Sequence, residues 1–211
     1  MTERPMLFDS RSVSGILDGS ITQTRRAMKP QPRPGVRGDG TQIGTQRGQL
    51  GSPYSVWESK HAGVIPLTED CFYRVYRACP YGQMGDRLWG REAFALFKGD
   101  LFYRADGTNN VRIEEATGWK PSIHMSHELS RILLEITGVR VERVQDIARL
   151  DAKAEGFLPG LNGLEKFNGR SYGNAQLAFQ ASWDFINDNR GYGWDANPWV
   201  WVIEFKLVTD A

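Results

Sequence analysis

The chain has 211 residues, is 40% hydrophobic and 24% charged, and carries a net charge of +1. That length buries a core without a disulfide or metal staple, and the near-neutral balance excludes a protein that coats nucleic acid generally. The start MTERPMLF holds no signal-peptide run, no later stretch is apolar enough to span a membrane, and Cys71 and Cys79 are too few for a disulfide framework, so a reduced, cytoplasmic setting without membrane contact is expected.

Asp9 or Ser10 caps a short helix in which Val13, Ile16 and Leu17 form one apolar stripe, and Gly19 ends it. Thr22 to Met28 reads as extended, with Thr22, Thr24 and Arg26 on one face and Gln23 and Arg25 on the other. Lys29 to Gln83 is dense in Gly, Pro and Gln. It reads as an irregular insertion (29–83) within a single domain (1–211), with a short hairpin at Cys71 to Arg77.

Arg87 to Phe97 is the next strand, and Lys98-Gly99-Asp100 turns it into Leu101–Arg104. Arg131 to Val144 is a strand pair or one bent strand, interrupted at Gly138. Asp146 caps a helix with Ile147, Leu150 and Ala154 in register, and Gly156 to Gly173 is a glycine-rich loop. Asn174 to Asn187 is an amphipathic helix with Leu177, Phe179, Ala181, Trp183 and Ile186 inward. The closing PWVWVIEFKLV alternates, Trp199, Trp201, Ile203, Phe205 and Leu207 against Glu204 and Lys206. The pattern predicts an α+β fold: a small mixed β-barrel decorated by helices and carrying long loop insertions. No βαβ rhythm supports a parallel sheet.

The chemistry concentrates in one place. From Thr24 to Lys60 seven Lys/Arg face two Asp/Glu, a local +5 that suits a phosphate-bearing partner. His61, Cys71, Cys79, His124 and His127 match no zinc spacing, and there is no GxSxG elbow, P-loop or dinucleotide fingerprint. Thr24 beside Arg25 and Arg26 is the remaining constellation. A threonine hydroxyl attacks only when a base takes its proton and a cation holds the oxyanion, and Glu155 is the carboxylate the fold could bring near.

ILDGSITQTRR (Ile16 to Arg26) resembles the ILxGxKTxTxR signature of the ASCH domain, a PUA-like β-barrel. GDRLWGREAF, ITGVRVERVQDI, DAKAEGF and WVIEFK follow in that family's order. With CPYGQMGDRLW, WKPSIHM and DANPWVWVIEF, the chain looks most like the long ASCH proteins of bacteriophages and prophages. The likeness spans nearly the whole chain and is weakest from Pro34 to Arg74.

The resemblance implies a cleft tied to RNA binding and nucleoside chemistry in an infected or lysogenic bacterial cytoplasm, with no cofactor or metal. One bacterial branch of the family deacetylates N4-acetylcytidine with a lysine, a threonine and a glutamate, and another member is described as a ribonuclease. By position the threonine falls on Thr24, the glutamate on Glu155 and the lysine on Ile21. Isoleucine moves no proton, and losing a general base costs about 10²–10⁴ in rate. The resemblance therefore implies binding of RNA, a modified nucleoside or a nucleotide. Arg25, Arg26 and Lys29 would meet phosphates, Thr22 and Thr24 a base or sugar, and Trp89 or Trp119 would stack. Amidohydrolysis or RNA cleavage through Thr24 and Glu155 is the first alternative. The second is a protein partner docking on the insertion.

Overall fold

The computed structural model describes residues 2–29, 31, 35–36, 42–43, 56–59, 62–66, 79–107, 118–158 and 165–208. It opens with strand β1 (Glu3–Leu7), helix α1 (Ser10–Leu17) and strand β2 (Gln23–Ala27). The sequence pattern hides β1 because Pro5 interrupts it. As an edge strand, paired on one side only, β1 tolerates a residue that cannot donate. Asp9 is the cap of α1, its Oδ1 accepting the Ser12 N–H at 2.7 Å. Val13 and Ile16 are buried as predicted, while Leu17 is 38% exposed.

Within 29–83, β3 (Gly35–Val36) pairs with β4 (Gln42–Ile43), and β5 (Val56–Ser59) with β6 (Ala62–Pro66). The hairpin predicted at Cys71 to Arg77 lies outside the described residues. The predicted strand Arg87 to Phe97 is two strands, β7 (Arg87–Arg91) and β8 (Phe94–Phe97). The break is at buried Glu92, whose carboxylate takes Arg131 Nε at 2.8 Å and Nη2 at 3.1 Å. β8 turns through Lys98-Gly99, both at positive φ, into β9 (Asp100–Tyr103).

β10 (Leu133–Arg143) is one strand with a register shift between Ile136 and Gly138. A Cβ on Gly138 would lie 2.6 Å from the Glu204 carboxylate, so a larger residue there would push that side chain aside. The helix expected from Asp146 is shorter. Asp146 closes a 3-10 turn, α2 spans Arg149–Ala154 without a side-chain cap, and Leu150 is exposed while Ile147 and Ala152 are buried. The predicted glycine-rich loop holds a hairpin, β11 (Glu165–Phe167) and β12 (Arg170–Tyr172), turning on Asn168-Gly169 at φ 46° and 74°. Helix α3 (Ala175–Asn187), capped by Asn174, buries Ala175, Ala178, Phe179 and Trp183. Leu177 and Ile186 lie exposed, so the buried face is rotated from the predicted one.

The last strand, β13 (Trp199–Leu207), pairs with both β10 and β2. The sheet order is β1-β7-β10-β13-β2, with β1 parallel to β7 and all other pairs antiparallel. Trp199, Trp201, Ile203 and Phe205 pack with Val13, Ile16, Leu88 and Leu134 in one core. Val200 and Val202 face the opposite way, into a second core with Phe157, Phe179 and Trp183. The fold is therefore α+β, as predicted. Its five-stranded sheet is not a closed barrel, because edges β1 and β2 share no ladder. A side chain spans the gap instead: Arg26 Nη2 donates to the Leu7 carbonyl at 2.7 Å. Among the described residues no helix is long and apolar enough to cross a membrane.

Candidate functional site

The gap between the two sheet edges opens into a cleft of about 410 Å³. Its walls come from the end of β1 and the start of α1 (Leu7 to Ser12), the length of β2, the residues after α2, and α3 with its C-terminal extension. Five cationic side chains line it, Arg11, Arg25, Arg26, Lys29 and Arg190, against two carboxylates, Asp9 and Glu155. Asp9 is already engaged as the cap of α1.

Alternation along β2 divides its side chains between two environments. Gln23 and Arg25 point toward α2 and are 3% and 5% exposed, and Arg26 points toward Phe8 and Leu7. Arg25 is committed. Its Nη1 pairs with Glu155, its Nη2 with Glu142 at 2.8 Å and Asp151 at 3.1 Å, and its backbone N–H donates to Glu155 Oε2 at 3.2 Å. Arg140 ties the second layer together, pairing with Glu142 and Glu204, with Asp151 at 3.2 Å, and donating to Gln23 Oε1 at 3.3 Å. Two guanidiniums thus hold four carboxylates.

Glu155 is the most enclosed of those carboxylates, its side chain 9% exposed. Burial pushes its carboxyl above the ordinary glutamate range, with Arg25 pulling the other way. Ile21 forms an isolated β-bridge with Glu155, which fixes the C-terminal end of α2 against the start of β2. The Ile21 side chain is buried, pressed against Gly15 and Gly156 where any Cβ would come within 2.7 Å of it. The position the resemblance assigns to lysine is thus an apolar peg.

Arg26 differs from Arg25. It makes no ion pair among the described residues, lies 5.6 Å over the Phe8 ring, and has a buried Nε without a partner. Burial lowers its pKa from the ordinary arginine value. Lys29 is exposed, 5.3 Å from the Tyr192 ring centroid, and Arg190 is exposed at the end of α3's extension. Neither makes an ion pair among the described residues. Gln23, buried in the same cluster as Arg25, faces Glu155 and helps that arginine to offset the burial of the carboxyl.

The structure thus brings Thr24, Arg25, Arg26, Lys29 and Glu155 to one cleft. It does not bring Thr22 there; Thr22 is exposed, and its backbone bonds Ala154 and Phe205. Trp89 stands on another face of the sheet, edge-on to His127 at 5.1 Å and under Arg91. Trp119, half-buried, also lies outside the cleft lining. The aromatic side chains that do line it include Phe8, Tyr81, Phe157 and Trp183. Sequence reasoning missed Arg190 and Tyr81 because long-range folding alone brings them to β2. Arg11 was nearer to hand, one turn before Gly15 on the same capped helix.

No protein-family model and no curated protein matches the chain. Among solved structures it is similar to an ASCH domain from Lactobacillus crispatus JV V101. The identity is 11%, with 98% of this chain and 79% of that chain covered, at a TM-score of 0.41. At that level the likeness carries no correspondence between individual residues.

Proposed function

We propose that this protein binds a nucleotide or a single-stranded RNA segment in the cleft between β2 and α3. The supporting observation is the lining itself: Arg26, Lys29 and Arg190, without ion pairs among the described residues, surround a cleft about the size of a nucleotide. Small-molecule sites run from roughly 300 to 1,000 Å³, so a mononucleotide or one residue of a strand fills this one. Unpaired cations beside aromatic rings suit a phosphate joined to a planar base. Arg25 is spent on carboxylates, so the phosphate falls to Arg26, Lys29 and Arg190, and Arg25 serves to hold Glu155. A phage or prophage setting, with 29–83 as an insertion in one domain, accompanies this reading through the sequence resemblance.

A titration of mononucleotides and a short fluorescent single-stranded RNA tests it. The expected result is saturable binding that weakens in Lys29→Ala/Arg190→Ala. No binding of any of these ligands would refute it.

Hydrolysis through Thr24 and Glu155 is the second reading, favoured by one observation: both residues line the cleft. The Thr24 hydroxyl makes no hydrogen bond among the described residues, and Glu155 is engaged by Arg25, so the nucleophile stands without a base. Incubation with N4-acetylcytidine decides it. Deacetylation that disappears in Thr24→Ala would establish turnover over simple binding.

A further inference from the structure

We infer that the free edge of β2 reads the ligand's base through the backbone of Ala27, an inference that rests on the nucleotide-binding function proposed above. In an antiparallel pair, alternate residues turn their N–H and C=O toward the partner strand and away from it. Phe205 N–H donates to Thr22 C=O at 2.9 Å and Met28 N–H to Trp199 C=O at 2.9 Å. The register between β2 and β13 runs without a shift between those points. Residues 24 and 26 therefore also bond β13, and 23, 25 and 27 direct their backbone groups to the open side. The Arg25 N–H obeys this rule, donating outward to Glu155.

The open side is the cleft. Ala27 lines it, and its N–H and C=O take no partner among the described residues. Those two groups form an adjacent donor and acceptor. Every nucleobase has an edge with an acceptor next to a donor, so it can close both bonds at once.

An exposed strand edge also invites a peptide strand. The occupant here is a heterocycle, because Glu155 already occupies the Arg25 N–H. A peptide strand would need that donor two residues along, and only the single Ala27 repeat is open. Arg26 and Lys29 flank Ala27 in the chain, so the phosphate-binding cations stand next to the base reader.

The test is a titration of the full ¹⁵N-labelled chain with GMP, AMP, CMP and UMP, followed by amide exchange into D₂O. The Ala27 amide should exchange at least about ten-fold more slowly in the complex, as expected for a donor newly engaged and shielded. Ala27→Pro removes that donor. Proline is tolerated where an edge-strand N–H faces outward, and it keeps Arg26 extended. Affinity should fall about ten-fold, the effect of one lost hydrogen bond to a desolvated acceptor.

If nucleotides bind while Ala27 exchanges as before and Ala27→Pro binds equally, the base reader is overturned and the nucleotide site stands. If no mononucleotide binds, the base reader is overturned, and the function proposed above falls with it when the short single-stranded RNA also fails to bind. Protection of Ala27 by an extended peptide alone would replace the heterocycle with a strand and overturn the inference. Should Ala27→Pro fail to fold, the exchange measurement on the native chain decides.

Discussion

Replacing Arg25 by methionine keeps the length of a buried side chain and removes its charge. The guanidinium side chain is 0% exposed and meets Glu155, Glu142 and Asp151. Glu142 and Asp151 keep Arg140, so their loss is partial. Glu155, 9% exposed, loses the only guanidinium that pairs with it among the described residues. Breaking a buried pair while leaving one charge behind costs about 3–5 kcal/mol. For a chain of this length that lowers Tm by roughly 6–20 °C.

The deficit should shrink in acid. Burial already raises the Glu155 pKa, and removing Arg25 raises it further. The folded variant then takes up a proton as pH falls, and a neutral carboxyl no longer needs the arginine. The double variant Arg25→Met/Glu155→Gln should recover most of the loss at neutral pH, because both charges are gone. Urea denaturation of the three proteins at pH 7 and pH 5 measures this. A single-variant loss below about 1 kcal/mol, in the range of an exposed pair, or no recovery in the double variant would refute the view of Arg25 as the clamp on Glu155.

Three further outcomes follow from the same geometry. Asp86 accepts hydrogen bonds from Thr2 N–H at 3.0 Å, Arg4 at 3.1 Å and Gln83 N–H at 3.2 Å, and these hold its carboxyl below its ordinary value of 3.8. That stability is present above pH 3.8 and lost as pH falls through the lower folded value, so Asp86→Asn should be less stable than the parent at pH 6, with the gap in Tm closing toward pH 2. Gln31 clamps the end of β13, donating to Met28 C=O at 2.8 Å and Trp199 C=O at 3.0 Å and accepting from Trp199 N–H at 2.7 Å; Gln31→Ala should cost about 1–3 kcal/mol in chemical denaturation. Gly156 sits at φ +85° with a Cβ position 2.6 Å from Ile21, so Gly156→Ala should destabilise by more than about 1 kcal/mol and disturb the Ile21–Glu155 bridge in NMR spectra.

Local chemistry made much of the frame legible. Asp9 and Asn174 are helix caps with acceptor side chains, Lys98-Gly99 is a turn dipeptide, and the alternation of β13 survives in its burial. The bulge at Gly138 could be foreseen from the glycine in an otherwise β-branched run. β1 was not legible, because Pro5 erases the pattern and only an edge position permits it. The β11–β12 hairpin was missed although Asn168-Gly169 is a turn signal, since glycines on either side outweighed two three-residue strands.

Within the site, position along β2 was readable and charge pairing was not. Arg25 and Arg26 are neighbours in sequence, yet alternation sends one to three carboxylates and leaves the other without an ion pair among the described residues. Which arginine meets acid depends on Glu142, Asp151 and Glu155, all more than a hundred residues away. Of the tryptophans expected to stack, Trp89 lies outside the cleft on β7 and Trp119 on a segment that does not line it, because placement in the fold, not aromatic content, decides what reaches a cleft.

The most direct measurement is the salt dependence of binding for a short single-stranded RNA, with the native chain and Lys29→Ala/Arg190→Ala side by side. Each phosphate neutralised contributes about −0.7 to the slope of log K against log salt. With Arg26, Lys29 and Arg190 each meeting one phosphate, the native chain should bind with a slope of about −2, reduced by about 1.4 in the double variant, because Lys29 and Arg190 make no ion pair among the described residues. Binding that ignores salt, or a slope the double variant leaves unchanged, would contradict a phosphate held by this cleft.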